Sequence, residues 1–165
     1  MASSAEARRR RHARDLSGWR RPIATPFEKG RWRMSAIGRL HHLVFDTPDP
    51  LRDARFWSAV LDQPVTYASA DWVVVAPRED HSGLAFQLAL DHHPPVWGDP
   101  SRPQQAHHDV MVDDLAEAER RVEALGGRRL ESGAGSVWAD PAGHPFCLIP
   151  RPAWAPPVSG HPRRR

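Results

Sequence analysis

Cysteine is almost absent from this chain: Cys147 is the only one, so no intrachain disulfide can form and nothing argues for an oxidising, secreted setting. Long apolar runs are missing as well. The longest candidate, Trp72 to Ala76, falls far short of the ~20 residues that a membrane-spanning helix requires. Arg20-Arg21 is followed by Pro22-Ile23-Ala24-Thr25-Pro26, where a twin-arginine signal would begin its apolar segment. These absences predict a soluble cytoplasmic protein with no membrane partner. Lysine is scarce too, with one against 22 arginines, a bias that suggests a GC-rich genome more than a function.

Net positive charge is missing from the body of the sequence. Residues 1–33 carry a net +7 and residues 151–165 a net +4, whereas residues 34–150 carry a net −8. A nucleic-acid-binding domain concentrates its basic residues on the folded surface, so this distribution disfavours a nucleic-acid partner. The first 33 residues hold Arg8-Arg9-Arg10-Arg11 and few aliphatics, too little to offset the entropy of ordering, and are expected to be a disordered basic extension. Such a segment reads either as a polyanion-binding arm or, the preferred reading, as residues upstream of a true start at Met34. The tail at 151–165, with Pro152, Pro156, Pro157 and Pro162, is likewise expected to be unstructured. That leaves 34–150, enough for one domain with a core of its own.

Within that stretch a pattern occurs twice. Leu40 to Asp46 alternates as a strand does, with Leu43 and Phe45 on one face and His42 and Val44 on the other. Asp49-Pro50 opens a helix, Asp49 as N-cap and Pro50 in the first turn. Leu51, Ala54, Trp57 and Leu61 follow at helical spacing and predict its buried stripe. Strands are predicted over 64–68, 72–76 and 84–90, and then a Pro-rich linker over 91–105. The second half repeats the order. A strand over 106–112 leads to Asp114, with Glu117 three residues on as in a capping box. Leu115, Ala118, Val122 and Leu125 form the next helical stripe, ended by Gly126-Gly127. Strands over 128–131, 136–139 and 145–149 complete the pattern. His42 to His107 and Asp49 to Asp114 share one offset, so the domain is read as two duplicated βαβββ modules, about 38–90 and 106–150.

Several fragments carry a resemblance. Asp49-Pro50, Arg55-Phe56-Trp57 and Val60-Leu61 resemble the first-helix signature of glyoxalase-like proteins, and Leu84-Ala85-Phe86-Gln87 resembles their fourth strand. His107-His108-Asp109 running into Asp113-Asp114-Leu115 resembles their fifth strand and second helix. Trp138-Ala139-Asp140-Pro141-Ala142-Gly143-His144-Pro145-Phe146-Cys147 resembles the Asp-Pro-x-Gly turn that enters their last strand. In this order and spacing the fragments are similar to the vicinal oxygen chelate superfamily, which includes glyoxalases, dioxygenases and bleomycin resistance proteins, over about residues 38–150. The resemblance implies an α+β fold in which the two modules form a cupped, barrel-like mixed sheet with helices outside. Members differ widely in chemistry, so the fold narrows function very little.

The resemblance also implies four metal-ligand positions, which map onto His42, Gln87, His107 and Cys147. Strand parity supports the same placement: if Leu43, Phe45, Phe86, Leu88, Val110, Val112, Phe146 and Leu148 pack on the helices, their neighbours face the cup. Two imidazoles and an amide oxygen suit a divalent ion such as zinc, nickel, manganese or iron. Where metalloglyoxalases place a glutamate, this chain has Cys147, which reads either as a thiolate ligand or as a neutral buried thiol. Asp109 shares the cup face with His107 and is the candidate general base. Trp72, Trp97 and Trp138, with Met111 and Gln87, are candidates to line a ligand pocket. His41 and His108 fall on the opposite face, and His92-His93 is expected to be solvated in the linker. Two functions follow: a divalent-metal-dependent lyase or isomerase acting on a vicinal-oxygen substrate, or a metal-free protein that sequesters a small molecule. In either case the partner is a small molecule, and a homodimer is expected.

Overall fold

The computed structural model describes residues 37–131 and 135–158. The expected basic extension at 1–33 lies outside the described residues, as does the end of the tail at 159–165. The chain divides into two units, Met1–Leu40 and His41–Arg165, and every element below belongs to the second. In chain order these are β1 (His42–Thr47), α1 (Pro50–Leu61), β2 (Val65–Ala68), β3 (Trp72–Val75), β4 (Gly83–Leu88), β5 (His108–Val112), α2 (Leu115–Ala124), β6 (Arg128–Arg129), β7 (Ser136–Ala139) and β8 (Pro145–Pro150).

The duplication is exact in topology. One sheet has the order β1-β4-β3-β2 and the other β5-β8-β7-β6. In each, the first strand of the module runs parallel to the last, and the remaining pairs are antiparallel. A parallel pair needs a crossover, and the long excursion through the helix and two strands supplies it. The fold is therefore α+β, two βαβββ modules whose sheets are cupped and do not close into a barrel. Among the described residues, no helix is long and apolar enough to cross a membrane.

Both helices begin where their capping residues predict. Asp49 accepts a hydrogen bond from the Arg52 amide, and Asp114 accepts one from the Glu117 amide. Gly126, at φ +97°, follows the last turn of α2 in the left-handed conformation that a side chain resists. Ala54 and Trp57 of the first predicted stripe and Ala118 and Val122 of the second are buried, with Leu61 and Leu115 packed against the core, but one end of each stripe departs from expectation. In α1 the buried residues are Pro50, Asp53, Ala54, Phe56 and Trp57, while Leu51 is 40% exposed. Leu125, the last residue of the second stripe, is exposed to the same extent. The correction has a physical cause: α1 packs around Phe56 and Trp57, whose rings meet Phe146 of the second module at 5.9 and 5.1 Å. Two aromatic anchors outweigh one leucine in buried area.

One core serves both modules. Ala54, Phe56, Trp57, Val73, Val75 and Phe86 from the first cluster with Val112, Ala118, Val122, Trp138, Phe146 and Leu148 from the second. Close approach of β3 and β4 is bought by glycine at one point. A Cβ on Gly83 would lie 2.1 Å from the Val75 carbonyl oxygen, so Gly83→Ala is expected to lower stability by about 1–3 kcal/mol. A thermal melt checks this, and an unchanged midpoint would show that β3 can yield there.

Candidate functional site

Side-chain alternation divides each sheet into a helix face and a cup face. In the first sheet Phe45, Phe86, Val73 and Val75 go to the shared core. Their neighbours His42, Val44, Asp46, Ala85, Gln87, Trp72 and Val74 therefore point to the cup. The register sets Asp46 beside Gln87, and Gln87 beside Trp72, in one row across three strands. In the second sheet Val110, Val112, Phe146, Leu148 and Trp138 pack on the helix side. Asp109, Cys147 and Val137 form a cup-facing row, with Met111 and Ile149 in the next.

The densest chemistry lies at the head of that second row. His107 precedes Asp109 by two residues and shares its face, with Nε2 3.7 Å from Asp109 Oδ1. Asp109 pairs with Cys147 across the parallel β5–β8 ladder. One ligand atom from each of His107, Asp109 and Cys147 lies within 4.8 Å of the others, an arrangement that could hold a metal ion. Burial pushes the Cys147 thiol up to about 11, helped by the Asp109 charge and by the hydrogen bond between the two side chains. A thiol in that state is neutral and donates to Asp109. His107 and Asp109 are both partly open to solvent, at 33% and 55%. An imidazole, a carboxylate and a sulfur make a three-residue donor set that fits zinc with one coordination position left open.

The other predicted residues divide clearly. His42 is on the cup face but outside the group formed by His107, Asp109 and Cys147. Its ring lies against His41 at 3.7 Å, and burial, then the charge of His41, lowers its pKa. Gln87 and Trp72 are neighbours in the first sheet, Gln87 exposed and Trp72 half-buried against Val74, Ala76 and Ala85. Met111 is 41% exposed in the cup. Trp97, from the linker, sets its ring edge-on to His107 at 6.1 Å. Trp138 does not line the cup. It is 3% exposed in the core, where its indole donates to Ser136 Oγ at 2.7 Å.

Sequence reading missed two things. Asp46 completes the polar row with Gln87 and Trp72, which only the register reveals. A second polar cluster lies on the helix side, around Asp140 of the Asp-Pro-x-Gly turn. Asp140 Oδ2 accepts from Trp57 Nε1 at 3.0 Å and His144 Nδ1 at 3.1 Å, while Oδ1 accepts from the amides of Ala142 and His144. His108 sits in the same region, its ring 4.9 Å from Phe45 and 5.4 Å from Trp57, with its Nε2 buried and unpartnered. Burial is the main influence that lowers its pKa. His92 is not solvated as expected. It donates from Nε2 to the Ala142 carbonyl at 3.1 Å and faces His144 at 5.0 Å, so the linker is pinned onto this turn.

Comparison with known proteins agrees with this architecture. The family model described as glyoxalase-like domain matches residues 42–149. The fold is similar to that of a fosfomycin resistance protein from Mesorhizobium loti, at 20% identity and TM-score 0.50, covering 68% of this chain and 91% of that one. A second fosfomycin resistance protein, from Listeria monocytogenes, is 14% identical with TM-score 0.52, covering 72% and 97%. A glyoxalase/bleomycin resistance protein/dioxygenase family enzyme from Burkholderia phytofirmans PsJN is 13% identical with TM-score 0.53, covering 68% and 98%. At these identities the likeness is one of fold. No curated protein matches the sequence.

Proposed function

The chain belongs to the glyoxalase-like domain family, and from that premise we propose that it binds a small molecule in its cup, as a divalent-metal-dependent lyase or isomerase acting on a substrate with two vicinal oxygens. The observation that carries the reading is the convergence of His107, Asp109 and Cys147 on one cup-facing patch. These three residues would hold the ion, with zinc the best match to the donor set. When bound, such an ion supplies Lewis acidity at an open coordination position. Asp109 is then either a ligand or, if His107 and Cys147 suffice with His42 or Gln87, the base that accepts a substrate proton. Trp72, Met111, Gln87 and Trp97 would position the substrate, and the shared core beneath keeps both sheets in place around it. We further propose a cytoplasmic setting, in keeping with a lone reduced cysteine, and a two-fold homodimer.

One observation favours a second reading. The Cys147 thiol, held neutral against Asp109, suits a metal-free cup in which Asp109 and the row of Asp46, Gln87 and Trp72 hold a small cationic or aromatic ligand. Metal content of the untagged full chain, measured by plasma mass spectrometry after reconstitution with zinc, nickel, manganese or iron, separates the two. The metal reading expects near-stoichiometric uptake that is lost in His107→Ala and Asp109→Ala. Retention in His42→Ala would assign the ion to the second module alone, and loss there would bring in the four-position set. No uptake of any of these metals ends the metal reading and leaves the metal-free pocket.

A further inference from the structure

We propose that a pocket on the helix side of the molecule, at the seam between the two modules, is a second ligand site that takes a small carboxylate with an apolar body. The pocket has a volume of about 460 Å³ and is lined by Asp49, Leu51, Arg52, Arg55, Phe56, Leu125 and Pro141. Its volume lies within the ~300–1,000 Å³ of ordinary small-molecule sites. Because Phe56 belongs to the helix-side core, the pocket and the cup lie on opposite faces of the sheets.

The chemistry of the lining selects the ligand. Of the four leucines whose spacing predicts burial, Leu61 and Leu115 pack on the core, whereas Leu51 and Leu125 are each 40% exposed. They face an open space with Phe56 and Pro141, an apolar lining left uncovered where α1 and the end of α2 approach the 140–143 turn. Residues 51 and 55, and 52 and 56, are each one helical turn apart, so α1 presents apolar and cationic groups side by side. Arg55 makes no hydrogen bond or ion pair among the described residues. Arg52 uses Nε to reach Asp53 Oδ1 at 3.0 Å, which fixes the side chain and leaves its terminal nitrogens for another acceptor. The one carboxylate in the lining, Asp49, caps α1 by accepting the Arg52 amide at Oδ1, and its single negative charge is outnumbered by the two guanidiniums. Two guanidiniums over an apolar floor match a carboxylate through paired N–H donors and its hydrocarbon through burial. A neutral or cationic amphiphile of the same size gains only the second part.

Octanoate is the probe, titrated into the isotope-labelled full chain and followed by two-dimensional 1H–15N NMR, with octanol and octylamine as matched controls. Saturable shifts are expected at the amides of residues 51–56 and 125–127, with octanol and octylamine at least roughly tenfold weaker. Arg55→Glu should weaken octanoate by a similar factor, and Leu51→Trp should fill the space and abolish binding. Both positions are exposed, and unchanged dispersion of the remaining spectrum shows that the variants are folded. Equal affinity for the three probes, undiminished binding in Arg55→Glu, shifts confined to the cup around Asp109 and Cys147, or no saturable shift would each overturn the proposal.

Discussion

Asp140→Ala is expected to destabilise the protein by about 3–5 kcal/mol, because it removes the acceptor shared by two buried and two part-buried donors. Asp140 is 3% exposed and accepts from the Trp57 indole, the His144 imidazole and the amides of Ala142 and His144. The Trp57 indole and the Ala142 amide are buried, so these two donors would carry the largest desolvation cost. The loss would reach the fold as a whole, since Trp57 lies in the first module and Asp140 in the second. Burial by itself would raise the Asp140 pKa, but the hydrogen bond and charge of His144, with the Trp57 indole, bring it below the usual value. A depressed carboxylate contributes stability that is present above its unfolded pKa, about 3.9, and is lost as pH falls through the folded value. Asp53 works in the opposite sense. Burial raises its pKa despite the hydroxyl of Thr47 and the Arg52 guanidinium, so its contribution is present at low pH and lost as pH rises through the folded value. Urea unfolding of Asp140→Ala and the parent chain at neutral pH and in acid tests this. A gap under 1 kcal/mol at neutral pH, or one that widens in acid, would remove Asp140 as the link between the modules.

Why the sequence revealed the fold so fully, and the site only in part, follows from which signals are local. The helix starts at Asp49 and Asp114 are single-residue capping decisions, and both appear where expected. Alternation is also local, and it placed His42, Gln87, His107, Asp109 and Cys147 on the cup face because one wrong parity would have buried every polar neighbour. Register is not local. That Asp109 meets Cys147, or that Asp46 completes a row with Gln87 and Trp72, depends on pairing between strands tens of residues apart. Trp138 shows the limit of residue type as a guide. A tryptophan suits a ligand platform or a core equally well, and here it alternates with cup-facing Val137 and so goes to the helices. The stripe of α1 failed at Leu51 for a tertiary reason, since the two aromatic anchors fix the helix's rotation against the second module.

Phe86 and Phe146 test whether the cup can exist in one module alone. Each is 0% exposed in the last strand of its module, and each is followed by a cup-facing residue of interest, Gln87 or Cys147. Truncating either to alanine removes a ring from a close-packed site and is expected to cost about 3–5 kcal/mol. Because both rings belong to one continuous core, the loss should appear in a single transition for either variant, with tryptophan fluorescence and far-ultraviolet circular dichroism reporting the same midpoint. Two independent modules would behave otherwise: Phe86→Ala would shift one of two steps and leave the other where it was. The distinction bears on function. His107, Asp109 and Cys147 come from the second module, whereas His42, Gln87 and Trp72 come from the first. A pocket that draws on both sets needs their separation fixed, and the shared core of Phe56, Trp57, Phe86 and Phe146 is what fixes it. If the core is one unit, a cavity at Phe86 loosens Cys147 as surely as it loosens Gln87, and ligand affinity in the cup should fall in both variants together.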